Sequence, residues 1–389
     1  MTLHTLPEVV LVKILELLDH SDVLHVGEVC KLLQQTTNLN TVWHSRCRKT
    51  WLLESLPEGC CSWKDAFILY YNEYGEFIKC YSTIRSLWNK VEVWLEKNNP
   101  DIFHSLQPGI KKEVFTEFER NHEIHFPDDY KLFYRIHNGQ VNTQSGLFGS
   151  LLAGSSNDVC VRCFRPFEEL VNIFEHGSGQ FPIFGNLDIY SYFKISLSVL
   201  DHATFACTKV NSFKLIAKPY IKIGSEPKVH ILANSFTEWI QSYFGKLMSG
   251  HFPVLHSQFL LYDSDTEVTY TSHSITVSVR WVFLPSITYA TSSYGYRVKM
   301  SMAEDAPPSK ACQLVSRHWI ITTESGKTEL VNGPGVVGKY PIMRPGTSFS
   351  WNSFTSFYTN CGSMKGHFTM ELLSDPSTTV NIICPQFKM

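Results

Sequence analysis

The sequence contains no uninterrupted apolar stretch of the roughly 18 residues that a membrane-spanning helix needs. Neither sign of charge dominates, since 34 Lys and Arg residues are balanced by 36 Asp and Glu residues. Internal repeats and low-complexity segments are also lacking. The charge balance gives no reason to expect nucleic acid or an anionic membrane as the main partner. These absences argue against a membrane-embedded or nucleic-acid-binding protein.

Cysteine spacing is the next feature that excludes a class of protein. The chain has 11 cysteines, an odd number, and they do not follow the regular spacing of a secreted disulfide framework. Cys160 and Cys163 form a lone CxxC pair, whereas a structural zinc ion needs four ligands. We therefore expect reduced thiols, no bound metal, and a location in the cytoplasm, the nucleus or both.

Length and apolar content indicate several folded domains. A chain of 389 residues is too long for one ordinary core, so two or three domains are expected. Apolar residues make up 43% of the chain, which argues against a long disordered region. The residue patterns divide it into residues 1–50, 51–100, 101–250 and 260–389.

Residues 1–50 carry more apolar surface than a small unit can bury. The pattern predicts three short helices. Leu11, Ile14, Leu15 and Leu18 form one stripe at helical spacing, and Val10 and Leu17 form a second stripe beside it. A stripe that faces one core spans little more than about 100° of a helix. The surplus apolar surface predicts a partner.

The same segment resembles an F-box. The resemblance rests on Leu6-Pro7, Ile14-Leu15, Leu17-Leu18-Asp19, Asp22-Val23, Val29-Cys30-Lys31 and Trp43. In that family the motif binds a Skp-type adaptor, which connects it to a cullin and a RING subunit. The resemblance implies ten adaptor-binding residues: Leu6, Pro7, Leu11, Ile14, Leu15, Leu18, Val29, Cys30, Leu32 and Trp43.

Residues 51–250 predict a helical linker followed by an α+β domain. In the linker, Trp88 belongs to one apolar helix face, and we interpret this segment as a rigid spacer. Beyond it, Pro108 is expected to open a helix, Asn138-Gly139 to end the next one, and Ser235 with Glu238 to cap the last. The run Phe126-Pro127-Asp128-Asp129-Tyr130, with Leu147-Phe148-Gly149, resembles the Smi/Knr family, which is associated with protein binding.

Residues 260–389 predict an all-β sandwich. Short alternating strands are separated by turns, as in Ile275 to Phe283 and in Tyr296 to Met302. The runs Ser316-Arg317-His318-Trp319, Gly333-Pro334-Gly335-Val336-Val337-Gly338 and Pro385-Gln386-Phe387 resemble the ApaG domain, an immunoglobulin- or fibronectin-like sandwich. The order F-box, Smi/Knr, ApaG is that of a family of F-box proteins.

Candidate substrate- or ligand-binding residues lie in this last region. Gly333-x-Gly335-x-x-Gly338 spells a dinucleotide-binding motif, but Tyr340-Pro341 follows where a helix would have to begin, so a tight turn is expected instead. A small-anion site in that loop stays a hypothesis. Aromatic side chains on loops often provide binding hot spots. The candidates are Arg317, Trp319, Gly333, Gly335, Gly338, Tyr289, Tyr294 and Trp351.

Together these patterns predict a multidomain protein that is not an enzyme. We expect the substrate-recognition subunit of a Skp–cullin–F-box (SCF) ubiquitin ligase, which recruits protein substrates through residues 101–389 and marks them for proteasomal degradation. No catalytic residue, cofactor or metal is expected. The alternative is an interaction or ligand-sensing scaffold whose ApaG-like domain binds a small anion or a protein, without a ligase role.

Overall fold

The fold is described from a computed structural model of the chain. It covers residues 6–122, 125–141, 145–153, 158–161, 163–176, 181–185, 192–195, 219–223, 228–231, 233, 235–255, 258–284, 292–359 and 361–389. Helices form the first part of the chain, helices and strands alternate in the middle, and strands form the last part. The predicted order of an all-α, an α+β and an all-β region is confirmed.

The N-terminal unit contains four α-helices where three were expected. They are α1 (Glu8–Leu17), α2 (His20–Val29), α3 (Lys31–Thr37) and α4 (Asn40–Arg46), followed by a π-helical turn (Cys47–Trp51). The expected second helix is divided at Cys30, whose backbone is extended with φ −161° and ψ 165°. The chain turns there because α2 and α3 pack closely: a Cβ atom on Gly27 would lie 2.7 Å from Thr37 Oγ1.

The linker is helical, but it is part of a core and not a free spacer. It consists of α5 (Trp63–Tyr74), a 3₁₀ turn (Gly75–Phe77), α6 (Tyr81–Asn98) and α7 (Pro100–Ser105). Trp88 on α6 is fully buried, with ring centroids 4.6 Å from Phe133 and 5.5 Å from Phe244. The apolar face of α6 is therefore buried against the middle domain.

The middle domain combines four helices, three strand pairs and a five-stranded sheet among the described residues. The helices are α8 (Lys112–His122), α9 (Asp128–Ile136), α10 (Phe167–His176) and α11 (Phe236–Met248). Strands β1 (Leu106–Pro108) and β2 (His137–Gln140) pair, as do β3 (Ser150–Ala153) with β4 (Asp158–Val161) and β10 (Val254–Leu255) with β11 (Gln258–Phe259). A five-stranded antiparallel sheet contains β5 (Cys163–Phe164), β6 (Phe181–Gly185), β7 (Tyr192–Ile195), β8 (Pro219–Ile223) and β9 (Lys228–Ile231).

Two local expectations for this domain were wrong and one is confirmed. Pro108 ends strand β1 instead of opening a helix, and a Cβ atom on the next residue, Gly109, would lie 1.9 Å from the Arg135 carbonyl oxygen. Gly139 has a positive φ of 77°, but it lies inside β2, three residues beyond the end of α9. Ser235 caps α11 as predicted, since its side chain accepts a hydrogen bond from the Glu238 amide.

The C-terminal domain is a sandwich of two antiparallel sheets. One has the order β12 (Val268–Ser272), β13 (Ile275–Leu284), β14 (Ser292–Met302) and β18 (Ser348–Phe357). The other has the order β16 (Thr328–Pro334), β15 (Cys312–Thr323), β19 (Gly362–Leu372) and β20 (Asp375–Lys388), and β17 (Ile342–Met343) also pairs with β15. Alternate residues of both sheets fill the space between them.

The buried apolar residues form two separate clusters. The first extends without interruption from Leu15 in α1 to Phe259 in β11, so the N-terminal helices, the linker and the middle domain share one core. The second lies within the sandwich, from Ile275 to Met389. Among the helices that the structure describes, none combines the length and apolar character that crossing a membrane requires.

Candidate interaction surfaces

Two buried side chains, Trp43 and Arg46, stabilise the interior of the N-terminal unit by donating hydrogen bonds to backbone carbonyl oxygens. Trp43 is buried, and its Nε1–H donates a hydrogen bond of 2.6 Å to the Thr37 carbonyl oxygen. Arg46, also buried, donates from Nη1 to the Leu18 carbonyl oxygen at 2.7 Å and from Nη2 to that of Leu15. The Leu15 carbonyl oxygen also accepts a hydrogen bond of 3.1 Å from the Leu18 amide, while the Leu18 carbonyl lies past the last turn of α1. Arg46 therefore joins α4 to the last turn of α1.

Asp19 lies in the turn between α1 and α2 and caps the N-terminus of α2. Its Oδ1 atom accepts hydrogen bonds from the Asp22 amide at 2.9 Å and from Ser21 Oγ at 2.8 Å. These bonds lower the pKa of Asp19 below its ordinary value. The carboxylate thus caps α2 in its charged form, which also suits the positive end of the helix dipole.

Large apolar side chains are exposed on α1, α2 and α3, and α3 packs against both of the other helices. Leu17 is 87% exposed, and Val9 and Val29 are each 69% exposed. The further members of this set are Val10, Ile14, Leu24 and Leu32. We name these seven residues the apolar face. Single exposed apolar residues are ordinary, but a contiguous group indicates an interaction site.

The ten predicted adaptor-binding residues divide between the surface and the interior. Pro7, Ile14, Val29 and Leu32 are exposed, while Leu6, Leu18 and Cys30 are partly exposed. Leu11, Leu15 and Trp43 are buried within the unit, and they are therefore positioned to support the apolar face from beneath.

The prediction omitted Val9, Val10, Leu17 and Leu24, which the structure places on the surface. The signal for two of them was present in the sequence, because Val10 and Leu17 form the second stripe at helical spacing.

Exposed apolar residues continue from the apolar face onto α5. Ile68, Leu69 and Tyr71 are about half exposed. The ring centroids of Tyr71 and of His20, in the first turn of α2, are 4.9 Å apart. The α5 residues therefore extend the same surface.

A charged network joins the linker helix to the middle domain. His137 places Nε2 2.9 Å from Glu92 Oε1 and Nδ1 3.0 Å from the Gln107 carbonyl oxygen. Arg85 Nη1 lies 3.3 Å from the same Glu92 oxygen. Burial alone would raise the pKa of Glu92, but the bonds from His137 and Arg85 outweigh it and lower the pKa. This network fixes the orientation of α6.

In the sandwich, the predicted aromatic candidates face inward. Trp319, Tyr294 and Trp351 are all buried, and Trp319 and Trp351 both pack edge-on against Phe368. These three residues therefore stabilise the sandwich instead of lining its surface. Tyr289 lies outside the described residues.

The exposed aromatic side chains of the sandwich are different ones. Among the described residues they are Tyr270, Tyr340, Phe354 and Tyr358, of which Tyr358 is 87% exposed. Alternation along a strand predicts which residues share a face, but not which face is turned to solvent.

The glycine motif forms the tight turn that was expected. Gly335 and Gly338 have positive φ values of 56° and 74°, and the next element is the short strand β17. Arg317 donates from Nη1 to the carbonyl oxygens of Pro334 at 3.0 Å and Gly335 at 2.8 Å. A Cβ atom on Gly333 would lie 3.1 Å from Arg317 Cζ. The guanidinium is therefore engaged in holding the turn.

The described residues contain no group of three or more His, Cys, Asp or Glu side chains placed to hold a metal ion. Burial raises the pKa of the Cys312 thiol to about 11 and, together with Cys60, that of Cys47 to about 12. Such thiols stay protonated at neutral pH, whereas the thiolate is the reactive and metal-binding form.

Three family matches follow the order of the domains. Residues 3–49 match "F-box-like", residues 109–242 match "SMI1 / KNR4 family (SUKH-1)", and residues 288–372 match "ApaG domain". The first match contains the whole apolar face, and the third contains the Arg317 turn.

Relatives align with the whole chain or with part of it. F-box only protein 3 of Bos taurus is 32% identical over 395 aligned positions, covering 100% of this chain and 83% of that protein. F-box protein SKIP16 of Arabidopsis thaliana is 26% identical and covers 74% of this chain and 73% of its own length. Protein ApaG of Nitrosomonas europaea is 41% identical over 98 residues, which are 25% of this chain and 76% of that protein.

Proposed function

Because the chain belongs to the F-box only protein 3 family, we propose that it is the substrate-recognition subunit of an SCF-type ubiquitin ligase. The observation that carries this proposal is the apolar face on α1 to α3, with Leu17, Val9 and Val29 open to solvent. It lies within the F-box-like match, where the family binds a Skp-type adaptor. A surface of this kind gains stability when a partner covers it.

The size of the apolar face suits a stable protein contact. Complete burial of one Val, Leu or Ile side chain is worth about 1.5–3 kcal/mol. Burial of Leu17, Val9 and Val29 together would therefore offset much of the free energy that association costs. Arg46 and Asp19 hold α1 and α2 in place before binding, so little ordering is needed on contact.

The remaining domains would present a substrate. The middle domain shares its core with the N-terminal unit, so a substrate held there would keep a defined position relative to the adaptor. The receptor would contribute proximity to the ubiquitin-loaded enzyme and no bond chemistry. We retain as part of this proposal the division into residues 1–50, 51–100, 101–250 and 260–389, and a location in the cytoplasm, the nucleus or both.

A scaffold without a ligase role is the second candidate function. Its support is the exposed set Tyr340, Phe354 and Tyr358 on the sandwich, which could bind a protein in the absence of a cullin. Such a scaffold could still bind the adaptor, and therefore adaptor binding alone does not separate the two functions.

Reconstituted ubiquitin transfer separates them. The full chain is mixed with adaptor, cullin, RING subunit, ubiquitin-activating enzyme and a charged conjugating enzyme, and ubiquitin on lysines of the chain itself is measured. The ligase function predicts modification that requires both adaptor and cullin, because exposed lysines such as Lys97 and Lys365 are brought near the thioester. Adaptor binding with no cullin-dependent modification would favour the scaffold.

A further inference from the structure

The sheet β12–β13–β14–β18 has an unusual charge composition. Its four strands contain no aspartate or glutamate. They contain three cationic residues, Arg280 on β13 and Arg297 and Lys299 on β14. In a chain whose total charge is nearly balanced, a whole sheet without a carboxylate concentrates positive charge in one place.

All three cations lie on the outer face of this sheet. Their strand neighbours Val279, Val298 and Met300 are fully buried in the sandwich core, so alternation turns the cations outward. Arg280 and Arg297 are direct partners in the register of β13 and β14. Like charges directly opposite each other destabilise a strand pair.

The described residues compensate only one of these charges. Arg280 Nη2 lies 3.2 Å from Glu267 Oε2, and its Nη1 donates to the His251 carbonyl oxygen. The nearby carboxylates of Asp263 and Asp265 are both bonded to Lys246.

Arg297 has only neutral hydrogen-bond acceptors among the described residues. It donates to Ser350 Oγ at 2.7 Å and to Asn352 Oδ1 at 3.2 Å. Burial lowers the pKa of Arg297, the nearby Tyr262 raises it, and the proximity of Arg280 lowers it. A bound anion would favour the charged form of the guanidinium. The exposed Lys299 makes no ion pair within the described part of the chain, and two positive charges thus stay uncompensated.

Hydroxyl groups surround the two uncompensated cations. Lys299 pairs in register with Ser278 on one side and with Ser350 on the other, and Thr269 lies opposite Ser278. Guanidinium, ammonium and hydroxyl donors together match the several acceptor oxygens of a phosphate group. A phosphate monoester carries about −1.5 to −2 charges at neutral pH, which balances two cations.

We propose that Arg297, Lys299, Ser278 and Ser350 form a recognition site for a phosphate monoester on an extended segment of another protein. Lys299 is exposed and Arg297 is partly exposed on this sheet face, which suits a chain segment better than a small molecule, since small molecules bind in concave pockets. The proposal rests on the proposed function in one respect: the phosphorylated protein would be the substrate that the ligase receives.

The test is fluorescence anisotropy of the full chain with an oriented peptide library that has phosphoserine at its fixed position and degenerate flanking residues. The same library without phosphate is the reference. We expect tighter binding of the phosphorylated library, and a loss of about tenfold or more in that preference in Arg297→Gln/Lys299→Gln, because charge-assisted hydrogen bonds are removed. Lys339→Gln/Lys365→Gln removes two exposed charges elsewhere in the sandwich and should bind like the wild type.

The double variant could lose binding because it misfolds, so the single variant Lys299→Gln serves as a control. The Lys299 side chain is exposed, and its replacement should leave the fold intact. It should reduce the preference while the melting temperature stays unchanged. Equal binding of both libraries, or a preference that Lys299→Gln and the double variant leave intact, would overturn the site. If inorganic phosphate at an equal concentration displaces the phosphopeptides, the claim that the site recognises a phosphate on a protein segment is wrong. These measurements need no adaptor, so their failure leaves the ligase function to be decided by the ubiquitin-transfer assay.

Discussion

Arg46 Nη1 donates a hydrogen bond of 2.7 Å to the carbonyl oxygen of Leu18, although 28 positions separate the two residues. The same guanidinium binds the Leu15 carbonyl oxygen one turn earlier. A buried cation on α4 thus supplies a donor to the Leu18 carbonyl and adds a second one to the Leu15 carbonyl, which already accepts from the Leu18 amide. Through this contact, residues far from the apolar face determine the direction in which Leu17 and its neighbours point.

Replacement of Arg46 by leucine should destabilise the helical unit. The Leu18 carbonyl would lose its donor and the Leu15 carbonyl would keep only the Leu18 amide, so the expected loss in free energy of unfolding is about 1–3 kcal/mol. Urea denaturation followed by circular dichroism measures it. Arg48→Leu is the matched control, because its ion pair with Glu54 is exposed and should contribute less than about 1 kcal/mol. Equal effects of the two variants would show that the Arg46 contact is unimportant.

Truncation of Trp88 tests the continuity of the first core. Trp88→Ala leaves a cavity beside Phe133 and Phe244 and should cost about 3–5 kcal/mol. Differential scanning calorimetry should show two transitions, of which only the one for the shared core of linker and middle domain moves to lower temperature. Trp351→Ala, in the sandwich core, should move only the other transition. A shift of both transitions by either variant would contradict two separate cores.

The pKa of Glu92 predicts a specific acid sensitivity. Because its folded-state pKa lies below the ordinary value of 4.5, the group contributes stability above that value and loses it as the pH falls through the lower folded-state pKa. Glu92→Gln should therefore lower the urea midpoint at pH 7, and the difference from wild type should shrink below about pH 4.5. Glu96 is exposed on the same helix, and Glu96→Gln should leave the urea midpoint unchanged at both pH values. If the difference in urea midpoint between wild type and Glu92→Gln is the same at every pH, the ionised Glu92 carboxylate does not contribute this stability.

The sequence predicted the elements whose signal is local. The stripe through Leu11 and Leu15, the Ser235 cap and the Gly335 turn follow from helix periodicity, side-chain capping and positive φ, all of which act within a few residues. The break at Cys30 was not predictable in this way. It depends on the close approach of Gly27 and Thr37, a contact between two helices.

The candidate sites were predicted less completely, because exposure is a property of packing. Trp319 and Trp351 looked like surface aromatics, but both are buried and pack against Phe368, Trp319 from a neighbouring strand and Trp351 from the opposite sheet. The three cations of the outer sheet face were visible in the sequence only as separate residues. Their juxtaposition depends on the register that places Arg280 opposite Arg297, and register is set by the whole sheet.

The most direct test of the adaptor-binding role of the apolar face is calorimetric titration of purified Skp-type adaptor into the full chain. Leu17→Glu/Val29→Glu should bind about 100-fold more weakly or worse, since each lost apolar contact is worth about 1.5–3 kcal/mol. Leu330 is as exposed as Val29 but lies on the sandwich, so the Leu330→Glu variant should bind the adaptor like the wild type. Retained affinity in the double variant, or no binding by folded wild-type protein, would contradict the adaptor-binding role of the apolar face.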